Sequence, residues 1–143
     1  MIVLDTTILL YAVGADHPLA GPSRDLIETV RVGGVPATTT ADVLQEFTHI
    51  RGKRRGREDA GRLARDWLDL LSPLLTITED HARNAISLFE RYPQVGAFDS
   101  FLAAVAIDSG AEALVSADAS FSTIRELRHV SPAEPGFLER LAD

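Results

Sequence analysis

Apolar and polar positions along the chain fall into blocks that read as strands and helices taking turns. Ile2-Val3-Leu4 is a short unbroken apolar run ending at Asp5, the pattern of a parallel strand buried on both faces. Thr6 or Thr7 is suited to cap a short apolar helix through Ala12, with Gly14 closing it. A second helix is expected from Pro18 or Pro22 to Arg31, ended by Gly33-Gly34. A second strand follows over 35–38, and Thr39-Thr40 stand as caps before a helix through His49. Residues 51–57, with Gly52 and Gly56, read as a loop or helix junction. Leu63, Trp67, Leu70 and Leu71 recur at helical spacing until Pro73.

A third strand is expected over 74–77. Thr78 is placed to cap a helix through Tyr92, with Glu79 and Asp80 in its favourable first turn. Another helix is expected over 98–109, ended by Gly110. Ala113-Leu114-Val115-Ser116 reads as a strand ending just before Asp118. A short helix over 121–127 and a last strand near Val130 complete the pattern. Strands alternating with helices imply an α/β sandwich around a mainly parallel central sheet of four to five strands. No repeat, linker or low-complexity segment divides the chain, so residues 1–143 are expected to form a single domain.

The sequence has 143 residues, 45% of them hydrophobic, enough for a core without staples. With no cysteine, neither a disulfide framework nor a thiolate metal site is available. No apolar run approaches the roughly 20 residues that a membrane helix needs, and the first residues do not read as a signal peptide. The expectation is a soluble, cytoplasmic protein with no membrane partner. The net charge of −7 argues against a protein that coats nucleic acid. The charge is unevenly placed, however: Arg51, Lys53, Arg54, Arg55 and Arg57 lie within one short segment.

Four acids stand out. Asp5 and Asp118 each follow a strand, and ligands of open α/β sheets bind beyond the carboxyl ends of strands. The simpler role for each is to cap the next helix. Glu46 shares a helix face with Val43, Phe47 and Ile50, where a carboxylate is costly unless paired or bound to a cation. Its alternative is the edge of that stripe, reaching solvent. Asp42 competes for an acidic role but is explained by the first helical turn. Asp99 precedes Leu102, Ala103 and Ala106 at helical spacing, with capping again the alternative. Four carboxylates in one pocket would repel one another and rise in pKa. A divalent cation resolves that conflict, and an all-oxygen site suits Mg²⁺ or Mn²⁺.

The segments around these acids resemble the PIN-domain nucleases, specifically the VapC-type toxins of bacterial toxin–antitoxin pairs. The resemblance is carried by Ile2-Val3-Leu4-Asp5-Thr6-Thr7-Ile8, Val43-Leu44-Gln45-Glu46-Phe47, Phe98-Asp99-Ser100-Phe101-Leu102-Ala103-Ala104 and Leu114-Val115-Ser116-Ala117-Asp118-Ala119-Ser120-Phe121. Together they span nearly the whole chain. The resemblance implies a PIN-like α/β/α sandwich and an endoribonuclease that hydrolyses RNA phosphodiesters, inhibiting translation and growth. It implies Mg²⁺, with Mn²⁺ as a substitute, held by Asp5, Glu46, Asp99 and Asp118. Thr6 and Ser116 match positions whose hydroxyls support the acids. Ala119-Ser120 stands where a basic residue is often seen, which leaves fewer local phosphate contacts. The implied partners are a VapB-type antitoxin, whose tail blocks the acidic pocket, and a second copy of the chain in a homodimer.

The basic segment fits that function, since an acidic pocket needs neighbouring cations to admit a polyanion, and Arg suits phosphate. A solvated charged junction is the plainer role. His17, His49, His81 and His129 are scattered and do not read as a metal site. Trp67 reads as packing or interface. A phosphoaspartyl enzyme of the haloacid dehalogenase type would need an acid where Thr7 stands. A receiver-like module would need a late strand-end lysine, whereas the only lysine is Lys53. A stand-alone PIN-domain nuclease of RNA processing is the remaining alternative.

Overall fold

A computed structural model of the chain describes residues 1–142. Four strands, β1 (Ile2–Leu4), β2 (Ala37–Thr38), β3 (Ala113–Val115) and β4 (His129–Val130), form an all-parallel sheet in the order β2-β1-β3-β4. Every residue of β1 and β3 is buried, as expected of strands covered on both faces. Helices α1 (Thr6–Val13), α2 (Ala20–Arg31), α3 (Ala41–Arg55), α4 (Arg57–Leu71), α5 (Glu79–Arg91), α6 (Ala97–Asp108) and α7 (Phe137–Ala142) flank the sheet. They pack largely as neighbours in sequence, α1 on α2, α3 on α4 and α5 on α6. Among the described residues, no helix is long and apolar enough to cross a membrane.

The expected alternation is realised, with four differences. Residues 74–77 do not form a strand. They meet the sheet edge through one bridge, Thr40 to Leu75, and the Leu75 amide donates to Thr39 O at 2.9 Å. The Thr38 hydroxyl donates instead to the carbonyls of Leu71 and Pro73, at 3.1 and 2.9 Å. The segment is thus held by a single backbone bridge rather than by a ladder, with the Thr38 hydroxyl fixing the chain just before it. A short apolar run does not separate these two outcomes.

The basic segment is helical to Arg55, and only Gly56, at φ 92°, breaks α3 from α4. A glycine takes that backbone without strain. The helix expected over 121–127 is a 3₁₀ turn at Ala119–Thr123. Finally, α7 was not expected, although its buried Phe137 and Leu141 carry the i, i+4 signature of a packed helix.

Caps fall at several expected places. Thr40 accepts from the Val43 amide at 3.2 Å. Thr78 caps α5 through the His81 amide, while the Thr78 amide donates to His81 Nδ1 at 3.0 Å, a reciprocal capping box. His81 Nε2 also meets Asp108 at 2.7 Å, which joins the start of α5 to the end of α6. Thr78→Ala should therefore lower stability by about 1 kcal/mol. The check is urea unfolding, with a lower midpoint at unchanged slope; an unchanged midpoint would mean that the cap contributes nothing.

Candidate active site

The register of the two central strands creates the site. Leu4 pairs with Val115, so the next residues, Asp5 and Ser116, leave the sheet side by side. The Asp5 amide still donates to Val115 O at 3.0 Å. The sheet order reverses direction between β1 and β3, and such a reversal opens a crevice at the carboxyl ends. There Ser116 Oγ donates to Asp5 Oδ2 at 2.6 Å, and Thr7 Oγ1 donates to the same oxygen at 3.1 Å. Ser116 Oγ in turn accepts from the Asp118 amide at 3.0 Å, and Thr7 Oγ1 from the Ala117 amide at 3.1 Å. Two hydroxyls thus tie together the acids that follow β1 and β3.

The capping alternatives resolve differently for each acid. Asp118 does cap, accepting from the Ser120 amide at 2.9 Å. Asp5 occupies the N-cap position of α1, but its side chain makes no capping bond. Asp99 lies in the first turn of α6, whose N-cap is Gly96. Glu46 is half-buried on α3 beside fully buried Val43 and Phe47.

Electrostatics bring the four together. Asp5 is only 4% exposed. Burial pushes its carboxyl up, against the Ser116 hydroxyl, the Thr6 amide and the Thr7 hydroxyl, while the Glu46 charge adds to the rise. Asp99 is pushed up to about 7, first by burial and then by repulsion from Asp5, Asp118 and Glu46. Among the described residues, none of these acids makes an ion pair with a protein cation. Nor are any three of them drawn together as a ready coordination sphere. Burial first, and the charges of the neighbouring acids after it, account for the raised carboxyls of Asp5 and Asp99.

The neighbouring residues sort less simply. The Thr6 hydroxyl is buried without a hydrogen-bond partner, and the hydroxyl on Asp5 belongs to Thr7. The place of Thr7 two residues after a strand-end acid is the sequence signal for that support. Arg51 is tied into the fold. Its Nε donates to Asp59 Oδ1 at 2.6 Å and its Nη1 to Val13 O at 3.1 Å, which binds α1, α3 and α4 together. Lys53, Arg54, Arg55 and Arg57 are exposed. Lys53 and Arg57 line a groove of about 440 Å³ with Thr48 and His49. The same two residues, Thr48 and His49, also line a cleft of about 670 Å³ that includes Glu46. The basic groove and the cleft at Glu46 therefore adjoin, with Thr48 and His49 as a shared wall.

Comparison with known proteins gives consistent results. A family model described as PIN domain matches residues 2–127. Ribonuclease VapC7 of Mycobacterium tuberculosis is 45% identical over 144 residues, covering 100% of this chain and 99% of that protein. Ribonuclease VapC13 of the same organism is 31% identical over 137 residues, covering 92% and 100%. Among solved structures, Mycobacterium tuberculosis VapC20, described as a Sarcin-Ricin loop cleaving toxin, superposes with a TM-score of 0.73 at 22% identity, covering 90% of this chain and 99% of that one. Rickettsia felis VapBC2 bound to a promoter DNA fragment gives 0.71 at 20% identity, covering 92% and 98%.

The raised Asp99 carboxyl has a measurable consequence. Its pKa rises from 3.8 to about 7 on folding. Between these values the folded protein keeps a proton that the unfolded chain has lost, so stability falls as pH rises through the window. Asp99→Asn removes that titration. In metal-free buffer the variant should melt above the parent at about pH 7.5, with the gap closing toward about pH 4. Melting curves whose separation does not change with pH would contradict this.

Proposed function

The chain belongs to the PIN-domain family as a VapC-type ribonuclease, and on that premise we propose that Asp5, Glu46, Asp99 and Asp118 form the active site of a metal-dependent endoribonuclease toxin. The observation that carries the proposal is a set of mutually repelling acids without a protein counter-ion, gathered where the sheet order reverses. Such a donor set fits a hard divalent cation, Mg²⁺ or Mn²⁺. Asp5, Asp99 and Asp118 would hold it, with Glu46 as a further ligand or as the group that orients water. When bound, the cation supplies Lewis acidity at the scissile phosphate and lowers the pKa of water.

The chain's own residues do the rest. Ser116 and Thr7 fix the rotamer of Asp5 by donating to the same carboxylate oxygen. Asp118 is set by the same serine through its backbone and by its own bond to Ser120. In the reaction water adds to phosphorus, the bond to one ribose oxygen breaks, and that oxygen leaves with a proton. Lys53 and Arg57 line the groove beside the Glu46 cleft and, with exposed Arg54 and Arg55, would hold flanking phosphates. Arg51 is better read as a structural tie than as an RNA contact, given its bonds to Asp59 and Val13.

The VapBC complex of Rickettsia felis supports a VapB-type antitoxin as this chain's partner. A basic residue of its tail is the natural group to neutralise the unpaired acids. A homodimer is supported by Ile86 and Phe89, which are 53% and 49% exposed on one face of α5, an arrangement that favours a covering partner. An RNA substrate and an antitoxin partner would fit a cytoplasmic protein.

Two experiments test this reading. Asp5→Ala should abolish Mg²⁺-dependent RNA cleavage in end-mapping assays and relieve growth arrest on expression; RNA ends identical to the parent's would remove Asp5 from the chemistry. Replacing Arg54 and Arg55 by Ala should weaken RNA binding more at low salt than at high salt. Equal salt slopes for variant and parent would remove these arginines from the RNA path.

A further inference from the structure

The cleft at Glu46 does not end at the acids. It shares Asp42 and Phe98 with a second cleft of about 270 Å³, whose remaining walls include Ile77, Phe101 and Leu102. This second cleft contains none of the four proposed catalytic acids. Phe98 is 36% exposed, unusual for a large aromatic side chain at the mouth of a cavity. Asp42 is exposed and, among the described residues, its carboxylate forms no ion pair and no hydrogen bond. Both are tied to the site by sequence. Phe98 immediately precedes Asp99 on α6, and Asp42 lies one helical turn before Glu46 on α3.

We propose that this second cleft receives one unpaired base of the RNA, on a nucleotide beside the cleaved bond, and that it favours guanine. The proposal rests on the ribonuclease reading above. A phosphate at the acids leaves its neighbouring base within reach of the shared wall formed by Asp42 and Phe98. Single-stranded RNA is recognised by stacking splayed bases on aromatic side chains and bonding their edges. Phe98 supplies the stacking face, and Ile77, Phe101 and Leu102 supply apolar walls. Asp42 supplies an acceptor with no donor of its own. Guanine presents two adjacent N–H donors on its Watson–Crick edge, which suit a carboxylate. Uracil presents a single N–H flanked by two carbonyl oxygens that the carboxylate repels. The order of preference follows from that one side chain.

The test uses the full chain with Mn²⁺ and an oligoribonucleotide carrying a randomised single-stranded stretch, with the cut ends sequenced. The parent should cut beside guanine in preference to uracil. Phe98→Ala should slow cleavage roughly five- to a hundredfold, the range seen when a stacking aromatic is removed, and Phe98→Tyr should retain the parent's rate. Asp42→Asn should still cut but lose most of its discrimination between guanine and uracil. Circular dichroism shows whether each variant is folded, and Asp42→Asn, at an exposed position, is the substitution least able to disturb the core.

Cut sites and rates unchanged in Phe98→Ala and Asp42→Asn, while Asp5→Asn is inactive, would overturn the base pocket and leave the ribonuclease reading standing. Unchanged cutting together with loss of a co-expressed antitoxin would also overturn it, in favour of a protein contact. A parent that cuts no RNA, or an Asp5→Asn variant that cuts as well as the parent, would overturn the ribonuclease reading and the pocket with it.

Discussion

The hydrogen bond from Ser116 to Asp5 is the interaction on which the site depends. A carboxylate at the end of a buried strand is expensive to ionise, and burial raises its pKa accordingly. The serine and Thr7 offset part of that cost by donating to one carboxylate oxygen, leaving the other free of hydroxyl donors. The bond exists because Leu4 and Val115 are in register. A one-residue slip between β1 and β3 would turn Ser116 to the opposite face. The geometry of the candidate site is therefore written into the pairing of two three-residue strands, which the helices around them keep buried.

From this anchor the remaining acids follow by position. Asp118 is two residues beyond Ser116 and is fixed by both its amide and its side chain. Asp99 enters from the first turn of α6, and Glu46 from the middle of α3. Among the described residues, no arginine or lysine forms an ion pair with them. Arg51 turns away to Asp59 and Val13, so the helix that carries Glu46 is locked to α1, which begins next to Asp5. The cations that remain exposed lie one groove away. Separation of charge on this scale keeps the acids available for an external cation and the bases available for phosphate.

Much of this was legible in the sequence, for physical reasons. Buried parallel strands are short apolar runs, so β1 and β3 and the acids after them were readable directly. Glu46 was readable because a carboxylate beside Val43 and Phe47 conflicts with its helix face. Residues 74–77 misled because an apolar run records burial and not backbone pairing. Two features lay beyond local pattern. The choice of Thr7 over Thr6 as the partner of Asp5 depends on how α1 turns away from the sheet. The diversion of Arg51 depends on Asp59, eight residues on across a helix junction, and a run of basic residues does not announce which member is already bonded.

The central proposal is that these acids, without a protein counter-ion, form a site for a divalent cation. Calorimetric titration of Mn²⁺, repeated in buffers of different ionisation enthalpy, tests it most directly. The account predicts saturable binding that releases about one proton near pH 6.5 and tightens as pH rises, because cation and proton compete for raised carboxyls. It predicts that Asp5→Asn loses most of that binding. Binding that is absent in the parent, or that is indifferent to both pH and Asp5→Asn, would contradict it.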